Sequence, residues 1–202
     1  DTCMFNLGVM YAKGTGVEQS YAEAIKWYKL AAEKGNVNAQ LLLGKTYYLG
    51  KIVEVNYAES IKWYNLAAKQ GNAEAQFVTA MMHERGLGVE CDLNEALKWY
   101  RLAAEQGNAQ AQNNLGTMYF NGEGIKQDYS EAVKWYRLAA EQGLASAQNN
   151  LASMYDAGDG VKQDFEESAK WYKLAAKQGL ATAQHSIATC YREGEGVISD
   201  YF

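Results

Sequence analysis

Few side chains in this 202-residue chain are of the types that catalysis or metal binding needs. The only histidines are His83 and His185, far apart in the sequence, whereas a metal site needs ligands that converge. His185 and Cys190 are five positions apart on a predicted helix and point in different directions, so they form no nucleophile–base pair. The 3 cysteines are an odd number at unrelated positions, which predicts no disulfide framework. The sequence therefore predicts no catalytic residue, no metal site and no cofactor.

Two kinds of glycine-containing segment have the spacing of ligand-binding loops. The pattern Gly-x-Gly recurs at 86–88, 122–124, 158–160 and 194–196, but each copy follows a helix instead of opening one after a strand. The segment 156–167 has the length of a calcium loop, yet Gly158, Gly160 and Val161 stand where two oxygen ligands and a glycine are needed. We interpret both as turns.

Charge and hydropathy exclude two further classes of partner. The net charge is −5 and the chain has no basic stripe of the kind that binds phosphates, so nucleic acid is not predicted. No apolar run approaches the roughly 18 residues of a membrane span, so none is predicted. Without a catalytic constellation, a small-molecule substrate is not expected either.

The elements that position all these residues are repeats. Five tryptophans recur at intervals of 36 residues, at Trp27, Trp63, Trp99, Trp135 and Trp171. A period of 20–50 residues is typical of stacked structural units, each of which buries its apolar face against its neighbours. Because the pattern runs from end to end, we predict a single all-α domain over residues 1–202. The tryptophans are expected to form an interior layer of indoles.

Each repeat contains two helical patterns. In the first helix, as in 37–49, Ala39, Leu43 and Tyr47 share one face at i, i+4 and i+8. In the second, as in 57–70, Ile61 and Tyr64 lie on one apolar stripe. A small residue recurs at a fixed position of the first helix and predicts a close helix–helix approach: Gly44, Ala80, Gly116, Ala152 and Ala188.

The helix starts are also encoded. Asparagine precedes three of the first helices as a predicted N-cap, at 36, 72 and 108, and leucine replaces it at 144 and 180. Five capping boxes precede the second helices: Ser20-x-x-Glu23, Asn56-x-x-Glu59, Asp92-x-x-Glu95, Asp128-x-x-Glu131 and Asp164-x-x-Glu167. In such a box the acidic side chain is expected to reach back to the cap.

The pattern Ala-Gln-x-x-Leu-Gly-x-x-Tyr-x-x-Gly-x-Gly followed by Ala-x-Lys-Trp-Tyr-x-x-Ala-Ala, read from 111 to 140, resembles the Sel-1-like repeat (SLR) family. These relatives of tetratricopeptide repeats have a 36-residue unit, and about five units of this chain match. The resemblance implies a right-handed α/α superhelical solenoid whose first helices line the concave side. It also implies an adaptor role, a bacterial origin and, for a number of relatives, export, signalling or host contact associated with virulence. Cysteine-rich members carry a disulfide in every unit, a pattern that this chain lacks.

If the first helices face inward, the partner is recognised by positions that vary between repeats while the core positions stay fixed. The candidate residues are Phe77, Met81, Glu84, Asn113, Thr117, Phe120, Asn149, Ser153, Asp156, His185 and Arg192. A groove of this kind suits an extended peptide or a partner's helix. The amides of 113, 114, 149 and 150 would then hold the backbone of the partner; the alternative is that these asparagines belong to the scaffold.

We therefore predict a non-enzymatic scaffold that binds a protein or peptide. The alternative is a carbohydrate or cell-wall binding module, because aromatic and amide side chains also hold sugars. The chain begins at a helix start and stops just inside the next predicted helix, so we expect a fragment of a longer protein. The residues leave the compartment undetermined, and the resemblance favours export to the periplasm or the exterior.

Overall fold

The structure, a computed structural model, describes residues 1–194 and Gly196. This part of the chain contains α-helices and no strand, which confirms the predicted all-α repeat solenoid. The helices are α1 (Thr2–Lys13), α2 (Tyr21–Glu33), α3 (Val37–Leu49), α4 (Tyr57–Lys69), α5 (Ala73–Arg85), α6 (Leu93–Glu105), α7 (Ala109–Asn121), α8 (Tyr129–Glu141), α9 (Ala145–Ala157), α10 (Phe165–Lys177) and α11 (Ala181–Glu193). Odd-numbered helices are the first helices of the repeats, and even-numbered helices are the second.

The chain divides into two compact units, which we call unit 1 (Asp1–Trp99) and unit 2 (Tyr100–Phe202). In unit 1, α2 packs against α1 and α3, and α4 packs against α3 and α5. In unit 2, α8 packs against α7 and α9, and α10 packs against α9 and α11. Each of these four second helices thus contacts the first helices on either side of it in the chain. The single domain over 1–202 stays a prediction.

In the repeats that have glycine at the small position of the first helix, a tyrosine of the second helix is inserted against that glycine. Tyr64 and Tyr136 are buried, and a Cβ added at Gly44 or Gly116 would lie 2.8 Å or 2.7 Å from the facing ring. Any larger side chain at these positions would displace the ring, so the predicted close approach is confirmed. Buried alanine pairs of the second helices complete the contact: Ala31–Ala32, Ala67–Ala68, Ala103–Ala104 and Ala139–Ala140.

The indoles are less buried than the predicted interior layer requires. Trp63 is only 3% exposed and packs against the cluster around Tyr28 and Leu43, but the other four tryptophans are half-buried. In the other four repeats the more deeply buried ring is instead the tyrosine that follows the tryptophan, with Tyr100 fully buried. The physical reason is that the small residue on the first helix makes room for the phenol ring and not for the indole.

The predicted helix caps are confirmed in part. Side chains of Asn36, Asn72 and Asn108 accept from the backbone N–H three residues on, at 2.9, 2.8 and 2.9 Å, whereas Leu144 and Leu180 make no side-chain cap. The capping-box glutamates do not reach back as expected.

The cap N–H groups of these boxes are used by another partner. The N–H of Asp128 donates to the carbonyl of Tyr119, and the N–H of Asp164 to that of Tyr155. The acidic side chains instead pair with the lysine three residues on, as Glu131 does with Lys134. The capping box is therefore completed by a carbonyl of the preceding first helix.

A pair of glutamines ties each of several repeats to the one before it, and we call this arrangement the glutamine clamp. In unit 2, Gln148 Nε2 donates to the carbonyl of Ala140 at 3.2 Å. Gln178 Nε2 donates to Gln148 Oε1 at 2.9 Å and to the carbonyl of Gly143 at 3.0 Å. Unit 1 contains the same clamp, in which Gln40 and Gln70 are bonded to the carbonyls of Ala32 and Gly35. The clamp satisfies carbonyls at the end of the preceding second helix.

Candidate binding surface

Six of the predicted binding residues of unit 2 lie on α7 and α9, where they form one face. We call this the first-helix face of unit 2, defined by Asn113, Thr117, Phe120, Asn149, Asn150, Ser153 and Asp156. Asn113, Thr117 and Phe120 are three or four positions apart, as are Asn149, Ser153 and Asp156, so that each set shares a side of its helix; Asn150 adjoins Asn149. A hydrogen bond of 3.0 Å from Asn150 Nδ2 to Asn113 Oδ1 joins the two helices across the face. On α11, His185 and Arg192 are exposed.

The predicted residues of unit 1 are Phe77, Met81 and Glu84 on α5. All three are half-buried, and Met81 packs against the core cluster that contains Ile61 and Tyr64. Met81 therefore contributes to the core as well as to the surface of α5. Whether these residues and those of unit 2 bind a partner stays a prediction.

The asparagines of unit 2 form a network within the protein. Asn114 Nδ2 donates to the hydroxyl of Tyr100 at 3.0 Å, and Asn113 Nδ2 lies 3.4 Å from Asn114 Oδ1. The buried Oδ1 of Asn149 has no donor among the described residues. The Nδ2 groups of Asn113, Asn114 and Asn150 thus all donate within the protein.

The hydroxyl groups beneath this face are also hydrogen-bonded. Tyr136 donates to Thr117 Oγ1 at 3.1 Å, and Thr117 Oγ1 donates to the carbonyl of Asn113 at 3.1 Å. Burial raises the pKa of Tyr136, and the hydrogen bond with Thr117 opposes that effect. Burial also raises the pKa of Tyr172, against hydrogen bonds with Ser186 and Ser153. Both phenols are therefore neutral at physiological pH, and Tyr136 holds the hydroxyl of Thr117 beneath the face.

A small cavity opens between the helices of this face. It has a volume of about 100 Å³ and is lined by Phe120, Tyr136, Asn150, Ser153 and Met154. We call it the notch. The ring of Phe120 packs against that of Tyr129 with centroids 5.3 Å apart, so one wall of the notch is held in place from behind. The volume is large enough for one small side chain.

The face also has a defined charge next to the notch. Asp156 is half-buried and lies three residues after Ser153 on α9, so its carboxylate is one helical turn from the notch. The backbone carbonyl of Asp156 accepts from Gln163 Nε2 at 2.7 Å, which fixes the end of the helix. The surface therefore presents an apolar wall, an amide oxygen and a carboxylate within a few residues.

Other chemistry is not brought together in the part of the chain that the structure describes. Residues 1–194 and Gly196 contain no group of three or more His, Cys, Asp or Glu side chains that could hold a metal ion. Cys3 and Cys91 are exposed, free thiols, and Cys190 is buried. Among the same residues, no helix combines the length and the apolar character that crossing a bilayer requires.

The glutamine clamp was not predicted from the sequence, although the Ala-Gln of the repeat pattern contains one of its two glutamines. The signal that could have indicated it is a second glutamine at a fixed position, at 70, 106, 142 and 178, just before the glycine that ends each second helix. Two amides at fixed positions on adjacent helix ends can satisfy each other and the free carbonyls there.

Comparison with known proteins gives a consistent result. A family model described as the Sel1 repeat matches residues 2–36, 37–72, 73–108, 109–144, 145–180 and 181–202. A search of curated proteins found no match.

Two solved structures are similar over 99% of this chain. A protective antigen present in uropathogenic Escherichia coli strains, displaying an SLR fold, has 38% identity and a TM-score of 0.91, with 43% of its own chain covered. The chain thus spans less than half of that protein. A Sel1 repeat protein from Oxalobacter formigenes has 35% identity and a TM-score of 0.88, with 82% of its chain covered. An immunity protein of Pseudomonas aeruginosa, at 21% identity and a TM-score of 0.51 over 90% of this chain and 67% of its own, shares the fold alone.

Proposed function

The chain belongs to the Sel1 repeat family, and from this membership we propose that it is a non-enzymatic scaffold that binds a peptide or a partner protein on the first-helix face of unit 2. Proteins of this family are generally protein–protein interaction scaffolds and typically non-catalytic. The observation that carries the proposal is the notch with the carboxylate of Asp156 beside it.

The notch supports a partner that inserts one small side chain. Its volume of about 100 Å³ fits a residue of the size of alanine, serine or valine, and the ring of Phe120 forms its apolar wall. Asn150 donates through Nδ2 to Asn113, so its Oδ1 is available to accept a backbone N–H of the partner. Extended peptides are commonly held in this way, by main-chain hydrogen bonds and pockets for alternate side chains.

The carboxylate of Asp156 supports a basic residue next to the small one. Residues three apart on a helix have Cβ atoms about 5–6 Å apart. An extended peptide covers that distance in about two residues, which project on the same side. The preferred partner sequence is therefore a small apolar residue, any residue, and then lysine or arginine, in either chain direction.

The test is selection of a displayed library of random short peptides on the full chain, followed by affinity measurement with the synthetic peptides. We expect selected peptides to carry the small and basic residues at this spacing. Asp156→Lys should weaken binding about tenfold, because an attraction becomes a repulsion at a half-buried site. Ser153→Leu should also weaken binding, because it fills the notch.

The matched control is Glu141→Lys, which makes the same charge change on an exposed residue of α8. It should leave peptide affinity unchanged. Equal effects of Asp156→Lys and Glu141→Lys would show that net charge alone governs binding, and the first-helix face would be the wrong site.

A further inference from the structure

One loop of unit 1 differs from the corresponding loops of the other repeats. At the end of α3 and in the loop that follows it, the chain has Leu49, Ile52 and Val55. At the position of Leu49 the other described repeats have Lys13, Arg85, Asn121 and Ala157. At the position of Ile52 they have Gly16, Gly88, Gly124 and Gly160. At the position of Val55 they have Gln19, Cys91, Gln127 and Gln163. In this loop alone all three positions are large and apolar.

The replacement of glycine by Ile52 changes the backbone. Gly88 and Gly160 have φ of 75° and 66°, and a Cβ added to either would collide with the backbone of Tyr57 or Tyr129. No residue other than glycine has positive φ in the described part of the chain, so Ile52 adopts a different conformation. The loop at 50–56 therefore cannot repeat the close approach that its counterparts make.

The replacement of glutamine by Val55 removes a hydrogen bond. Gln127 Nε2 donates to the carbonyl of Phe120 at 2.7 Å, and Gln163 makes the same bond to Asp156. Valine has no donor, and the side chain of Val55 instead covers Gly50. The corresponding carbonyl, that of Tyr48, consequently has no donor from this position.

These changes leave an apolar surface in contact with solvent. Leu49 is 44% exposed, Ile52 49%, Val55 51% and Tyr57 36%. The ring of Tyr57 packs edge-on against that of Tyr48 with centroids 5.5 Å apart, which fixes one side of the surface. We call these four residues the 49–57 patch.

We propose that the 49–57 patch is a second docking surface, and that it binds an uncharged apolar segment of a partner protein in extended conformation. Its exposed area is roughly 300 Å², the size of the patches that are often functional in monomeric proteins. Stable dimers bury roughly 800 Å² on each partner, so the patch fits a short segment and not a second copy of this chain.

Charge and hydrogen bonding define the segment further. The flanking charges are one lysine, Lys51, and one glutamate, Glu54, so the surface has no net charge to complement. The carbonyls of Phe120 and Asp156, which correspond to that of Tyr48, accept from a glutamine, and a backbone N–H of the docked segment can take the place of that glutamine at Tyr48. An extended segment provides such an N–H together with apolar side chains on one face.

The test uses a variant that restores the residues of the loop at 121–127: Leu49→Asn, Ile52→Gly and Val55→Gln together. Because these residues already form a stable loop in the same fold, we expect the variant to keep its helicity and its Tm. Displayed random peptides selected on the full chain should include apolar, uncharged sequences that bind this variant at least about tenfold more weakly. N-methylation of one peptide amide should weaken their binding several-fold.

Two controls separate this surface from general stickiness and from the first-helix face of unit 2. Leu138→Asn removes an equally exposed leucine, at 45%, from α8 and should leave binding of these peptides unchanged, as should Asp156→Lys. The proposal is overturned if no selected peptide distinguishes the restored loop from the natural one. It is also overturned if sedimentation shows a dimer of the natural chain that the restored loop abolishes, since a second copy would then be the occupant.

Discussion

The glutamine clamp of unit 2 provides the sharpest test of how successive repeats are held together. Gln148 is 4% exposed, donates to the carbonyl of Ala140 and accepts from Gln178. Gln148→Ala removes both hydrogen bonds and leaves a small cavity, and we expect it to lower the free energy of unfolding by about 2 kcal/mol. Gln178 is exposed, so water replaces its lost contacts and Gln178→Ala should cost about 1 kcal/mol or less.

The double variant measures the clamp itself. Because the two side chains share one hydrogen bond, the loss of unfolding free energy in the double variant should be smaller than the sum of the two single losses by about 0.5–1 kcal/mol. Urea unfolding followed by far-ultraviolet circular dichroism gives the free energies, and thermal unfolding should show Tm lowered by roughly 4–8 °C for Gln148→Ala. Gln110→Ala, at an exposed position of α7, is the matched control and should change stability by less than about 0.5 kcal/mol. Strict additivity of the two substitutions would refute the shared bond.

Three further predictions concern the caps, the buried phenols and the indoles. Asn108→Ala should lower the free energy of unfolding in urea by about 1 kcal/mol, because it removes the cap acceptor. Asn108→Ser keeps an acceptor and should lower it by only a few tenths of a kcal/mol. Equal losses in the two variants would argue against the cap. Burial raises the pKa of Tyr64 from 10.0 to about 12, so its contribution to stability is complete below pH 10 and is lost as the pH rises towards 12. In a spectrophotometric titration, Tyr64→Phe should have one fewer tyrosine ionising near pH 12 than the natural chain. If the missing tyrosine is instead one that ionises near pH 10, the burial argument is contradicted. Trp63 is the least exposed indole, so Trp63→Phe should remove the part of the tryptophan fluorescence that acrylamide quenches least. If the substitution removes the most quenchable part instead, the indole of Trp63 is open to solvent.

The helix ends show how much local sequence can predict. The asparagine caps and the leucines that replace them were identified correctly, because a cap depends on one side chain and a backbone group three residues away. The return contact of the capping box was predicted wrongly, because the N–H it would use is taken by a carbonyl of the preceding first helix. That carbonyl is more than eight residues from the cap in the sequence, so no local sequence pattern indicates the hydrogen bond.

The first-helix face of unit 2 shows the same division. The sequence could place Phe120, Ser153 and Asp156 on first helices, since a fixed period assigns each position a side of its helix. It could not show that Asn150 is bonded to Asn113 on another helix, or that a notch remains between Phe120 and Met154. Both depend on how side chains from three helices fill the space between them.

The sequence by itself determined the repeat, the all-α fold, the helix boundaries and the small residues that admit the tyrosines, because each of these is a matter of period and local chemistry. Only the tertiary structure decided that the tyrosines are buried more deeply than most of the tryptophans, which amides are used by the scaffold, and how the loop with Ile52 and Val55 exposes its apolar side chains. Burial and hydrogen-bond partners are set by what lies opposite a residue in space, and a linear pattern does not contain that information.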